Sequence, residues 1–206
     1  QGQDMLPAIV FIFSRAGCDG ALFQCLRSRK ELTTPEERAE IEQIIDDGVE
    51  GIPEEDLEVL NFRQVRTAWM RGFAAHHAGL LPAFKHIVEQ LFVRGLVKVV
   101  FATETLALGI NMPARTVVLE KMVKFNGEAH VDLTPGQYTQ LTGRAGRRGI
   151  DHIGNAVVQW APAMDPHQVA GLASTRTYPL ISQFQPGYNM ACLLYTSPSP
   201  RDKRQS

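Results

Sequence analysis

Cysteine is scarce in this 206-residue chain, and the three that occur, Cys18, Cys25 and Cys192, are odd in number and lack the short paired spacing of metal ligands. That shortage argues against a disulfide framework or a zinc centre, and for reduced core thiols in a cytoplasmic protein. Long apolar runs are missing too. The stretch "MLPAIVFIF" at residues 5–13 is too short to cross a bilayer and has no basic region ahead of it, so it reads as a buried strand rather than a leader or an anchor. No G-x-x-x-x-G-K-[ST] phosphate loop occurs in the sequence, which removes the commonest glycine-rich cradle for a nucleoside triphosphate. Basic charge is nearly absent from one segment, because residues 31–60 hold 12 of the 22 acidic side chains and a single cation, Arg38.

What is present suits one globular domain, or two at most: 44% of residues are hydrophobic and 21% charged, enough to bury a substantial core. The net charge of -1 conceals a basic body, since residues outside the acidic segment number twenty basic against ten acidic. Two readings of the segregation stand side by side. One is a polyanion-binding face with an acidic appendage directed elsewhere; the other is a pair of solvated acidic helices with no partner.

Short β-branched runs at residues 8–13, 97–101, 116–120 and 155–160 read as buried strands. Between the first two, Phe84, Ile87, Val88, Leu91 and Phe92 recur at helical spacing, with Pro82 to start the helix and Gly95 to end it. Residues 18–29 form a second candidate helix with Ala21, Leu22, Cys25 and Leu26 on one face. Strand, helix, strand, helix is the pattern of a parallel sheet, whose ligands gather beyond the carboxyl ends of the strands. The acidic segment has its own start signal, Thr34, Pro35 and Glu37, followed by Ile41, Ile44 and Ile45. "IIDDG" lies on that capped helix, so it is not read as an acidic metal box. Asn126-Gly127 marks a hairpin, and Thr134, Pro135 and Gln137 start a helix that runs out at Gly143.

The last helix feeds "QLTGRAGRRG", residues 140–149, a stretch that serves equally as a solvated basic turn, a nucleic-acid-binding loop or a phosphate-sensing loop. Its neighbours decide. "FSRAGCDGA", "AAHHAGLLP", "FATETLALGINMPA" and "QLTGRAGRRG" stand in this order at strand ends or loops. Together they resemble motifs IV, IVa, V and VI of superfamily 2 helicases, and "HHAGL", "GRAGRRG" and the acidic insert are similar to the superkiller-type DExH-box RNA helicases. The resemblance covers about residues 7–190. It implies an α/β, parallel-sheet RecA-like domain with a helical insert at about 31–60, the second motor domain of an ATP-dependent helicase. A related DNA helicase, or a nucleic-acid-binding module without hydrolysis of its own, are the alternatives.

The resemblance also implies roles. In motif VI, Arg144 and Arg147 reach the nucleotide phosphates and Gln140 positions the hydrolytic water, with Gly143 allowing close approach. Guanidinium supplies a rigid cationic fork where charge develops on the transferred phosphoryl group. In motif V, Glu104 and the Gly109 backbone face the nucleotide, while Thr103 donates to a nucleic-acid phosphate. Motif IVa places His77 and the Gly79 backbone near another phosphate, and Ser14 and Arg15 of motif IV act likewise. His76 and His77 are not read as a metal site, because neighbours on a strand point to opposite faces and no third ligand is near in sequence. The hairpin occupies the place of a strand-separating element, or is a plain surface turn.

ATP with magnesium is then expected, held mainly by a missing first RecA-like domain, and single-stranded RNA is the expected partner, with DNA possible. Having no initial methionine and no phosphate loop, the chain reads as a fragment, inactive alone, whose parent continues into a winged-helix domain. The tail at 191–206 reads as disordered and foreign, "LLYTSPSPRDKRQS" having the look of translated adaptor sequence.

Overall fold

The computed structural model describes residues 5–109, 112–162 and 164–174. The expected tail at 191–206 lies outside them. In chain order the elements are β1 (Ala8–Phe11), α1 (Arg15–Arg27), α2 (Pro35–Val49), α3 (Glu54–Val59), α4 (Phe62–Met70), β2 (Phe73–His76) and α5 (Pro82–Val93). There follow β3 (Val99–Ala102), α6 (Leu106–Gly109), β4 (Thr116–Leu119), β5 (Val123–Phe125), β6 (His130–Asp132), α7 (Pro135–Thr142), β7 (Asn155–Val158) and α8 (Pro166–Ser174). Five strands form a parallel sheet in the order β2-β3-β1-β4-β7, and β5 and β6 make a separate antiparallel hairpin. The expected α/β fold class is the one observed.

Alternation along the strands sorts side chains onto two layers. Phe73 and Ala75 of β2 and Phe101 of β3 pack with Cys18 and Leu22 of α1. Ala74, Val100 and Ala102 turn the other way, into the core shared by Ile41 and Ile45 of α2, Trp69 of α4 and the buried stripe of α5. All five apolar residues expected on α5 are buried. Phe62, Trp69 and Phe84 form an aromatic knot, with Trp69 edge-on to Phe84 at 5.4 Å, that fastens α4 to α5. Cys18 is fully buried, and burial pushes its thiol up to about 12, as suits an inert core residue.

Local capping chemistry set the helix starts as the sequence suggests. Thr34 and Glu37 close a reciprocal capping box on α2, and Thr134 and Gln137 do so on α7. Helix α1 begins three residues earlier than expected, because the Ser14 hydroxyl accepts the Gly17 N–H at 3.0 Å and caps it. Strand β7 departs from the expectation of burial: Ala156 and Val157 are exposed, as befits a strand that, among the described residues, pairs only with β4. No helix among the described residues is long and apolar enough to cross a membrane.

The acidic segment is built into the body by apolar contact and by charge. Ile41, Ile44 and Ile45 are buried against α5. Glu37 pairs with Lys98, Glu40 with Arg94 and Glu42 with Arg66. Lys98 immediately precedes β3, so the first turn of α2 is anchored at the amino ends of the strands. The Lys98 ammonium also holds the Glu37 carboxyl below its ordinary range. Replacing Ile45 with Ala should cost about 2–5 kcal/mol of unfolding free energy. Glu55→Gln on the exposed α3 should stay within about 0.5 kcal/mol. Urea unfolding of the two variants checks the difference, and equal effects would remove α2 from the core.

Candidate functional site

Parallel strands place Ser14, His77 and Thr103 past the carboxyl ends of β1, β2 and β3, on one rim of the sheet. A groove of about 570 Å³ opens there. Ser14 and Arg15 line it from the first loop, Ala78 from the second, and Thr103, Glu104 and Thr105 from the third. The hairpin supplies the opposite wall through Lys124 and Phe125, and no lining residue comes from the acidic segment 31–60. Backbone close approach shapes the first loop: a methyl group on Gly17 would lie 2.6 Å from both Ile12 Cγ2 and Ser14 Oγ. The hairpin turn is held by Asn126, whose Oδ1 accepts the N–H groups of Glu128 and Ala129, and Gly127 takes a φ of +107° that favours glycine.

Thr103 and Thr105 share a hydroxyl hydrogen bond of 2.9 Å at the groove. Glu104, expected on the nucleotide side, lines the same groove as Thr103 and Thr105. Its carboxylate accepts from Lys124 Nζ at 2.7 Å, a pair joining motif V to the hairpin. Phe125 stands 56% exposed next to His130, ring centroids 5.4 Å apart, so the hairpin offers an aromatic surface at the rim.

The two adjacent histidines part company. His76 is buried and meets Glu89 of α5 at 2.9 Å, while burial lowers its pKa. His77 lies just past β2 and turns to the α1 layer, its side chain 5% exposed. Its Nδ1 accepts the Gly79 N–H at 3.1 Å, which leaves Nε2 to donate to Asp19 at 3.0 Å. Both atoms expected to face a phosphate, the His77 ring and the Gly79 amide, are thus engaged with the chain itself. His77 organises the loop that carries Ala78 to the groove. Among the described residues no three His, Cys, Asp or Glu side chains converge as metal ligands.

Motif VI forms a backbone elbow packed on two neighbours. Ala114 donates to the Arg144 carbonyl at 3.0 Å and accepts from the Gly146 N–H at 2.7 Å, a parallel bridge between Ala114 and Ala145. Gly146 and Gly149 have φ of +91° and +77°, the left-handed region in which glycine is at ease. Gly154 lets two backbones touch: a methyl there would sit 2.5 Å from Ala145 C and Gly146 N. The Arg144 guanidinium donates to the Ala107 carbonyl of α6, tying motif VI to motif V beside Gly109, the last residue of α6. Gln140 is exposed near the end of α7, and Gly143 is its C-cap.

Arg147 is held by a residue that the motif reading omitted. Asp151 Oδ2 accepts both the Arg147 backbone N–H, at 2.9 Å, and Nε, at 2.8 Å, while Oδ1 accepts Nη2 at 2.9 Å. The Asp151 side chain is 3% exposed, and the guanidinium holds its carboxyl well below the usual carboxylate range. Asp19, Lys124 and Gly154 were likewise not singled out from sequence. Only Asp151 left a local trace, an opposite charge four residues after Arg147.

Residues 54–149 match the helicase conserved C-terminal domain, a span that takes in motifs IVa, V and VI and leaves β1 and α1 outside. The chain is 63% identical over 199 residues to the probable helicase HelY of Mycobacterium tuberculosis, a match covering 97% of the chain and 22% of that protein. It is 44% identical over 199 residues to the chloroplastic DExH-box ATP-dependent RNA helicase DExH15 of Arabidopsis thaliana, covering 92% of the chain and 16% of the relative. Superkiller complex protein 2 of Mus musculus is 44% identical over 153 residues, 74% of the chain and 12% of the relative. The chain therefore spans under a quarter of each of these proteins.

The Arg147–Asp151 pair fixes a direction for acid behaviour. A carboxyl whose folded pKa is depressed contributes stability above its unfolded value, about 3.9 for Asp, and loses it as pH falls toward the folded value. The stability difference between the native chain and Asp151→Asn should therefore be full at neutral pH and shrink steadily below about pH 4. Denaturant unfolding across that range measures it, and a difference that grows with acid would refute the ion pair.

Proposed function

The chain belongs to the superfamily 2 helicases of the superkiller type, and on that premise we propose that it is the second RecA-like domain of an ATP-driven motor that moves along single-stranded RNA. The observation that carries the reading is the groove at the sheet rim, where motifs IV, IVa and V meet the hairpin. Three loops, far apart in sequence and close in space, offer small polar groups and an arginine to one channel. Such a channel suits the repeating phosphates of a strand better than the edges of particular bases.

Each group has a task in that reading. The Ser14 hydroxyl accepts from Gly17 and keeps its own O–H as a donor, so capping α1 and touching a phosphate are compatible. Arg15 supplies charge and Thr103 a second hydroxyl. Lys124 neutralises Glu104, which would otherwise present an anion to an anionic strand. His77 acts through loop position, with the Gly79 amide fixed on its ring.

The nucleoside triphosphate lies against motif VI in this proposal. Arg147 and Arg144 approach its phosphates from this domain, Gln140 orients water, and the opposing phosphate cradle belongs to another RecA-like domain of the parent. Magnesium would be held mainly at that cradle, with the phosphates and water completing its shell. Turnover then depends on closure of the two domains, and this chain alone should hydrolyse ATP negligibly. The names DExH15 ATP-dependent RNA helicase and Superkiller complex protein 2 favour RNA, and matched RNA and DNA duplexes unwound by the parent would decide between the substrates.

In the parent helicase, Arg147→Ala should lower ATP turnover by about 10³ to 10⁵ while RNA binding persists. Arg147→Lys should rescue poorly, because a point charge cannot form the paired contact. Thr103→Ala and Lys124→Ala should each weaken RNA binding about tenfold across all sequences, as loss of one charge-assisted hydrogen bond or of one compensating charge predicts. ATPase assays and fluorescence anisotropy separate the two effects. Normal hydrolysis with lost binding in Arg147→Ala would turn motif VI into a gripping loop.

A further inference from the structure

Asp151 lies just beyond the matched helicase segment, and neither the motif reading nor the family match gives it a role. Its surroundings are unusual for a loop carboxylate. The turn from Arg147 to Asp151 is closed in both directions: the Asp151 N–H donates to the Arg147 carbonyl at 2.9 Å, and the Asp151 carboxylate takes the Arg147 N–H. The same carboxylate then engages one edge of the Arg147 guanidinium through Nε and Nη2. Upstream, the elbow is fixed to Ala114 through Arg144 and Gly146. Downstream, Gly154 presses on Ala145 and Gly146 with no space for a side chain.

We propose that Asp151 is the positioning residue of the motif VI arginine, setting the plane of the Arg147 guanidinium so that the fork meets the phosphates without a search among rotamers. A guanidinium carries five N–H donors in one plane. Directing two of them at a fixed carboxylate settles where the other three point. An arginine on a glycine-flanked loop would otherwise sample many orientations, and each displacement of about 1 Å at a reacting centre costs up to about 10²-fold in rate. The depressed carboxyl pKa is consistent with this, since the anionic form persists at any physiological pH. Arg147 is the group that touches the substrate; Asp151 acts through it.

The inference rests on Arg147 serving as the catalytic arginine, and the test keeps the two claims apart. Arg147→Ala, Asp151→Asn, Asp151→Glu and the double variant Arg147→Ala/Asp151→Asn are compared in the intact parent helicase. RNA-stimulated ATP turnover, RNA affinity and thermal melting are measured for each, with and without added guanidinium ion. Asp151→Asn should lose about 10²-fold in kcat, with RNA affinity unchanged. The double variant should be no slower than Arg147→Ala. Asp151→Glu, which keeps the charge but not the length, should be faster than Asp151→Asn. Guanidinium should restore part of the turnover of Arg147→Ala, where the carboxylate can hold it, and not that of the double variant.

A turn-closing role alone predicts the reverse order, because Asn matches the shape of Asp and Glu does not, and this order would overturn the proposal. Wild-type kcat in Asp151→Asn would overturn it as well, and so would a raised kcat, which would mean that the carboxylate parks the arginine. Equal rescue of the single and double variants also counts against it. Near-normal turnover in Arg147→Ala would instead bring down the catalytic reading of Arg147. Should Asp151→Asn melt before assay, the order of Asp151→Glu against wild type and the guanidinium rescue of Arg147→Ala carry the test.

Discussion

Parallel pairing of β1 with β3 on one side and β4 on the other is the constraint from which the remaining geometry follows. Parallel neighbours cannot be joined by tight turns, so each strand is followed by a crossover and every loop after a strand emerges on the same rim. That directionality brings Ser14, His77 and Thr103 within one neighbourhood although 89 positions separate the first from the last. It also sends α1 to one face and α5 to the other, and the two histidines at the end of β2 can therefore take partners on opposite layers.

What the sequence reveals is the chemistry that acts over a few residues. Thr34 with Glu37, Thr134 with Gln137, Pro82 and Asn126-Gly127 each specify a local geometry unaided, and each is where the spacing places it. The stripe on α5 is equally plain, since burial on a helix leaves a period. Strand β2 is harder to read, because "FAAH" is short and buried on both faces and has no alternation to show. The exposure of β7 depends on how many neighbours the strand has, a property of the sheet rather than of "NAVV".

Side-chain pairing across the fold is less legible still. Glu104 meets Lys124 and His77 meets Asp19 only because two loops arrive at one rim, and the composition of either partner announces nothing. The candidate site was thus readable as a set of loops and not as a set of contacts. Several residues named for touching a ligand also hold other protein groups in place: Ser14 caps a helix, His77 braces a turn, and Arg144 ties α7 to α6. A motif records which residues a function needs, without distinguishing those that touch from those that support.

The segment at 31–60 has a consequence for how such a domain can change over time. By charge it looks detachable, a block of acid set into a basic body. Its isoleucines, however, share one core with the sheet, and Gly48 has no room for a methyl because Ile87 lies 2.4 Å from where it would stand. A lineage can alter the outer acidic face residue by residue, yet it cannot excise the segment without exposing α5. The boundary that charge draws around this insert is therefore not a seam along which the molecule can be cut, and trimming there would yield a broken core rather than a smaller domain.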